Sequence, residues 1–185
     1  MNPSSTPANP TLVQLLAALA PKEGYNLTAL PDVRVLRSDR PLARTPVLYD
    51  PGIVIVGQGR KRGYFRDQVY CYDARHYLAV SVPVPFVMET DASPEQPLLA
   101  VYMHLDFQVA ADVMIQIDRQ GGPAPTAAPQ SMMSSPLDPA LTDSLHRFLQ
   151  ALSDPLEAAV LGPALVRELY FRVLTGPRAR PCGRR

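Results

Sequence analysis

GQGRKRGYF, residues 57–65, sets three glycines and three cations in nine positions, between the apolar run IVIV (53–56) and the strand-like QVYCY (68–72). It has three readings: a phosphate cradle, a nucleic-acid patch, or a turn between strands. A dinucleotide fingerprint needs GxGxxG opening a helix after a strand. Gly57 and Gly59 meet its first two positions, but Arg62 stands at the third and β-like sequence follows. A P-loop needs Ser or Thr after its Gly-Lys, and here Arg62 follows Lys61. Charge argues against a nucleic-acid module: 18 Lys and Arg oppose 17 Asp and Glu, for a net +1, far from the basic balance of such domains. The turn remains. Glycine supplies the positive φ of a hairpin, and flanking cations keep a strand edge soluble. An anion-binding role for Lys61 and Arg62 stays open beside it.

Outward from this stretch the pattern is β. Short runs lie at 33–37, 46–50, 53–57, 62–65, 68–73, 76–82, 85–90 and 98–105, parted by Pro, Gly and Asp. Eight such runs with little helix between them predict a mainly β fold with some α, an antiparallel barrel or sandwich. Residues 1–8 read as a disordered arm. Asn9 and Pro10 then look like a cap and first helical position, with Leu12, Leu15, Leu16 and Leu19 at helical spacing and Gly24 as the stop. Val109, Ala110, Val113, Met114 and Ile117 form a further helical stripe. Residues 119–137 are a Pro/Gly/Ser linker, expected to be mobile. Asp138 and Pro139 start a helix with Leu141, Leu145, Phe148 and Leu152 on one face; another follows Pro155, restarts at Pro163 and carries Leu161, Leu165 and Leu169. The layout is an arm with a short helix (1–24), a β-barrel (25–118), a linker (119–137), a helical segment (138–176) and a disordered tail (177–185).

A chain of 185 residues buries roughly 70% of its unfolded surface and needs no metal or disulfide to hold it. The hydrophobic fraction, 46%, is that of a globular protein. Cys71 and Cys182 match neither a metal spacing nor a disulfide framework. Cys71 reads as a small strand residue in a reducing, cytoplasmic protein. LVQLLAALA (12–20) lacks a preceding cation and is broken by Gln14, so export is not expected. No run approaches the roughly 20 apolar residues of a membrane span.

Several segments, taken in order, resemble the N-terminal domain of AraC/XylS-type transcriptional regulators. They are QGRK at 58–61, YCYD at 70–73, YLAVS at 77–81, Pro83, PLLAVYMHLD at 97–106, and the closing REL at 167–169 and LTGP at 174–177. The resemblance spans about residues 25–177. It implies a cupin-like β-barrel that senses a small-molecule effector, followed by helices that pair two subunits as a homodimer. DNA is then read by helix-turn-helix units further along such chains, and the few residues after Gly176 cannot form one. The expected protein is a sensing and dimerising domain without its DNA-binding half. A cupin-like enzyme, or a stand-alone protein that sequesters related regulators through its helices, are the alternatives.

Side-chain chemistry favours a non-enzyme. A metal cupin needs a His-x-His pair with Glu and a further His, whereas His76, His104 and His146 are scattered. No metal or cofactor is expected. Ser81 lacks a nucleophile elbow and reads as a strand-end hydroxyl. Alternation on the last strand sets Leu98, Ala100, Tyr102 and His104 on one face and Leu99, Val101, Met103 and Leu105 on the other. Tyr102 and His104, with Phe86 and Met88 of the neighbouring run, form the pocket candidate; a satisfied polar pair in a filled core is the plainer reading. Arg40, Arg44 and Arg62 could clamp an anionic ligand or simply solvate a loop. The stripe Leu141, Leu145, Phe148, Leu152, Leu161, Leu165 and Leu169 exceeds what a short intramolecular contact needs, and is expected at a subunit interface.

Overall fold

The computed structural model describes residues 10–122 and 130–177, and the backbone of 183–184. Helix α1 (Leu12–Leu19) begins at Thr11, whose hydroxyl accepts from Gln14 N while the Gln14 side chain accepts from Thr11 N. This capping box replaces the expected cap at Asn9, which lies outside the described residues. Nine strands follow: β1 (Gly24–Leu27), β2 (Val33–Ser38), β3 (Leu42–Tyr49), β4 (Gly52–Gln58), β5 (Arg60–Phe65), β6 (Gln68–Asp73), β7 (His76–Val80), β8 (Val84–Asp91) and β9 (Leu98–His104). All pair antiparallel, in the order β1-β2-β9-β4-β7-β6-β5-β8-β3. The sheet curls into a half-barrel whose edge strands, β1 and β3, do not pair with each other.

The opening stretch forms a corner rather than a hairpin. β4 lies between β9 and β7, whereas β5 lies between β6 and β8, so these consecutive strands never pair. Gly59, at φ 81°, carries the chain from one half of the sheet to the other. A Cβ there would meet Leu98 Cα at 3.0 Å and the Asp91 carbonyl oxygen at 3.1 Å. Both the left-handed backbone and the close approach require glycine.

Alternation along the central strands divides the interior in two. Ile53, Ile55, Val33, Val35, Leu99, Val101 and Met103 face the helices, and Val54, Val56, Tyr70, Tyr72, Leu78, Leu98 and Ala100 face into the curl. Behind the first set pack α1, α2 (Phe107–Arg119), α3 (Pro139–Leu152) and α4 (Pro155–Thr175). Asp138, with Pro139 behind it, caps α3 as expected; Asp106 and Asp154 cap α2 and α4 in the same way. Instead of restarting at Pro163, α4 runs through it. Pro163 and Ala159, the residue four before it, are both exposed, so water can satisfy the carbonyl that the missing N–H leaves free.

Two segments expected to lack structure are strands. Residues Met132–Pro136, placed in the mobile linker, form β10 against β7, with Met132 and Ser135 buried. Residues Gly183–Arg184 of the tail pair with Val69 and Gln68 as β11. Cys71 is disulfide-bonded, which corrects its reading as a plain strand residue; the chain's other cysteine, Cys182, lies outside the described residues. β1, formed by GYNL, was also missed: four residues with a glycine give too short a pattern to read.

The expected interface stripe lies inside the chain. Leu141, Leu145, Phe148, Leu152 and Leu169 belong to the core against the sheet, and Leu165 packs on it half-buried. Only Leu161 is exposed. Ion pairing joins α3 to α4 at the rim of this core. Glu168 accepts from Arg147 and from Ser144, each at 2.7 Å. These bonds, Arg147 first, hold its carboxyl at about 2. Leu145 is fully buried. Leu145→Asp therefore forfeits about 1.5–3 kcal/mol of burial and adds an unpaired interior charge. The variant is expected to lose its cooperative thermal transition, and a wild-type melting curve would contradict this packing.

Candidate functional site

Where β1 and β2 on one side and β3 on the other fail to meet, the half-barrel holds a cavity of about 820 Å³. β9 contributes Tyr102 and His104, β2 contributes Arg34 and Leu36, and β3 contributes Val47 and Tyr49. Met88 and Thr90 of β8 and Lys61 of β5 line it as well, and so do the exposed carboxylates Glu23 and Asp50. The volume suits a small organic ligand, and apolar walls with a few polar groups are the usual composition of such a site.

Tyr49 is the hub of the aromatic lining. Its ring meets Phe86 edge-on at 4.7 Å and Tyr102 at 6.2 Å, and Tyr102 in turn meets His104 at 4.8 Å. The Tyr49 hydroxyl donates to Met88 Sδ at 3.1 Å and lies 3.4 Å from the Tyr72 hydroxyl. The Tyr102 hydroxyl donates to the Asp50 carbonyl at 3.0 Å. Burial, and then the Asp50 charge, push its pKa to about 12. Burial likewise raises Tyr49 and Tyr72. These phenols stay neutral.

The cations differ in how they are held. Arg37 pairs with Asp39 at 2.8 Å and Arg40 with Glu23 at 3.3 Å. Arg34 donates to His104 Nε2 at 3.1 Å, which leaves the imidazole proton on Nδ1. Lys61 is only 2% exposed. Its Nζ donates to Met88 Sδ at 2.8 Å, a weak acceptor, and among the described residues no carboxylate lies within ion-pair distance of it. Burial lowers its pKa to about 8.

Of the residues singled out in the sequence, Tyr102, His104, Met88 and Arg40 line the cavity. Phe86 stands behind Tyr49 in the inner core. Arg44 and Arg62 lie outside it. Arg44 covers the Tyr64 ring at 4.3 Å, and Arg62 reaches Asp91 at 2.7 Å and Glu89 at 3.5 Å. Lys61 and Arg62 had carried one shared reading, but neighbours on a strand face opposite ways. Pairing with Thr90 sets Lys61 inward, a register that no local pattern reveals.

The three histidines do not converge. His76 contacts Asp73, and His146 contacts the Pro10 carbonyl. Among the described residues no cluster of His, Cys, Asp and Glu could hold a metal ion. Ser81 donates to the Gln130 carbonyl. A second cavity, of about 510 Å³, lies between α2, α4 and the sheet; Phe107, Met114, Met133 and Tyr170 line it and no charged side chain does. No helix among the described residues is long and apolar enough to cross a membrane.

A half-barrel packed on one face and hollow on the other has the build of a small-molecule-binding module. The chain belongs to the family of AraC-type transcriptional regulator N-termini, whose model matches residues 29–180. No curated protein sequence matches it. Among solved structures, it is similar to an apo single-residue variant of ToxT from Vibrio cholerae, with 11% identity and a TM-score of 0.48, over 84% of this chain and 61% of that one. It is also similar to unsaturated fatty acid bound wild-type ToxT from Vibrio cholerae, with 7% identity and a TM-score of 0.48, over 78% and 53%. A third is the AraC-like transcriptional activator CuxR, with 12% identity and a TM-score of 0.46, over 82% and 55%. The chain thus spans 53% to 61% of the length of these three.

A buried amine without a counter-charge costs the fold stability. Its folded pKa, about 8, lies below the ordinary 10.5. The penalty is therefore complete below pH 8 and fades as pH rises towards 10.5. Lys61→Met is expected to stabilise the chain at pH 7 by up to about 3 kcal/mol, with the gain shrinking towards pH 10. Urea titrations at the two pH values check this; a destabilised variant at pH 7 would contradict it.

Proposed function

We propose that the chain is the effector-sensing and dimerising part of an AraC-type transcriptional regulator and is not itself an enzyme. The observation that carries this reading is the cavity at the mouth of the half-barrel. Its polar lining consists of cations, hydrogen-bonded phenols, hydroxyls, His104 and the exposed carboxylates Glu23 and Asp50. With Glu23 paired to Arg40 and His104 to Arg34, the set is suited to holding a ligand rather than transforming it. The near-zero net charge leaves promoter contact to a helix-turn-helix region outside these residues.

Tyr170 supplies a route out of the cavity. Its hydroxyl donates to the His104 carbonyl at 3.0 Å and accepts from Asp106 N at 2.9 Å. The strand end bearing Tyr102 and His104 is thereby tied to α4, so a ligand that shifts β9 also acts on α4. Around its first turns α4 presents Leu156, Ala159, Val160, Leu161, Pro163 and Ala164 to solvent. Leu156 is 73% exposed and Val160 67%. A contiguous apolar helix face suits self-association, and this one, which keeps Leu161 of the expected stripe, takes the place of that stripe's buried members as the homodimer contact.

Two experiments test these statements. Leu36→Trp should fill the cavity mouth. Compounds from a diverse metabolite library that raise the melting temperature of the wild-type chain should fail to raise that of the variant. A library with no stabilising compound, or stabilisation indifferent to Leu36→Trp, would contradict the sensing role. For dimerisation, Leu156→Asp with Val160→Asp should give a folded monomer by sedimentation with its circular dichroism unchanged. A parent chain already monomeric at tens of micromolar would remove the dimer.

A further inference from the structure

We propose that the cavity takes an apolar monocarboxylate, with its head group on the Lys61 ammonium and its hydrocarbon part against Leu36, Val47, Tyr49 and Met88. This names the ligand class for the sensing role above and rests on that role.

The inference starts from Lys61, a cavity cation that is buried and has no carboxylate partner among the described residues. An ammonium has three donors, and the described residues offer Lys61 only a thioether. Thr90, its partner across the strand pair, is buried beside it. Arg37 and Arg40 at the mouth already have carboxylates. Arg34 lies at the mouth half-exposed, where water screens it. A buried charge is tolerated when an opposite charge reaches it with hydrogen-bonding geometry. The cavity leads to Lys61, so a ligand can bring that charge.

The same balance sets the ligand's valence. One carboxylate neutralises one ammonium, while a dianionic phosphate would leave a surplus negative charge in an apolar site. An amine ligand would be repelled at Lys61; the carboxylates that line the cavity, Glu23 and Asp50, are solvent-exposed, and Glu23 is already paired with Arg40. A neutral alcohol could hydrogen-bond Lys61 but would leave the charge unpaired. Lysine presents a point charge, suited to a single carboxylate oxygen, where bidentate capture would call for arginine. The surrounding apolar and aromatic walls suit an aliphatic or aromatic body.

Calorimetry with two matched pairs, octanoate with 1-octanol and 2-naphthoate with 2-naphthol, tests the proposal at pH 7. The wild-type chain should bind the acid of at least one pair tenfold or more tighter than its alcohol. Lys61→Met should abolish that preference, Lys61→Arg should retain part of it, and Arg34→Met should leave it intact. Equal binding of acid and alcohol to the wild type would overturn the Lys61 anchor while leaving the sensing cavity in place. A preference that survives Lys61→Met but vanishes in Arg34→Met would move the head group to the mouth and overturn it equally. Absence of binding by all four probes would also overturn it, whereas the sensing role stands or falls on the response of the library to Leu36→Trp.

Discussion

The burial of β4 and β9 on both faces is the constraint on which the rest of the molecule depends. One side chain in two faces the helices, as Ile53, Ile55, Leu99, Val101 and Met103 do; the next faces into the curl, as Val54, Val56, Leu98 and Ala100 do. Each Val, Ile, Leu or Met among them is worth about 1.5–3 kcal/mol when removed from water. A slip of one residue would exchange every member of the two sets. The register is therefore strongly specified, and with it the placement of Tyr102 and His104 at the open end of the inner face. The pairing shifts once, between Val56 and Gln58. There Gly57, lacking a Cβ, leaves room for Leu16 of α1 to pack on the strand.

Against that well-filled scaffold, the hollow face departs from what stability alone would select. The curl ends with two edges apart and leaves a space that side chains do not fill. Lys61 stands in it with a thioether for a partner. Groups whose charge is poorly tolerated and whose surroundings are open to a ligand are characteristic of sites rather than scaffolds. Polar coupling to the other side of the molecule is direct: the strand that lines the space ends at His104, and the hydroxyl of Tyr170 grips its carbonyl from α4. The hydrogen bond from Tyr170 thus ties the strand end that lines the hollow face to a helix of the packed face.

Much of this was legible in the sequence wherever periodicity was strong. The β runs, the two faces of LLAVYMHL and the Asp-Pro start of α3 all follow from local pattern, as does the inward placement of Tyr102, His104 and Met88. What escaped depends on contacts between distant residues. Gly59 looked like a hairpin turn because glycine with cations suits one, yet the partners of β4 and β5 are chosen by the curl. MMSSP contains no β-branched residue and becomes a strand because β6 pairs with β7 only at Asp73 and His76, which leaves the rest of that edge of β7 open to it. The leucines of α3 and α4 had the right spacing for burial, but spacing cannot say whether the covering surface is the chain's own sheet or a partner. Lys61 was visible as a cation and invisible as an interior one, since its direction is set by pairing with Thr90.

Methionine ε-methyl NMR provides the most direct test that the open end of the half-barrel is the ligand site. Met88 lines that cavity, while Met114 and Met133 line the second one against α2 and α4. Titration with octanoate should move the Met88 resonance saturably and leave those of Met114 and Met133 in place. A Met88 signal that stays fixed while Met114 or Met133 shifts would contradict the assignment and put the ligand between the helices and the sheet.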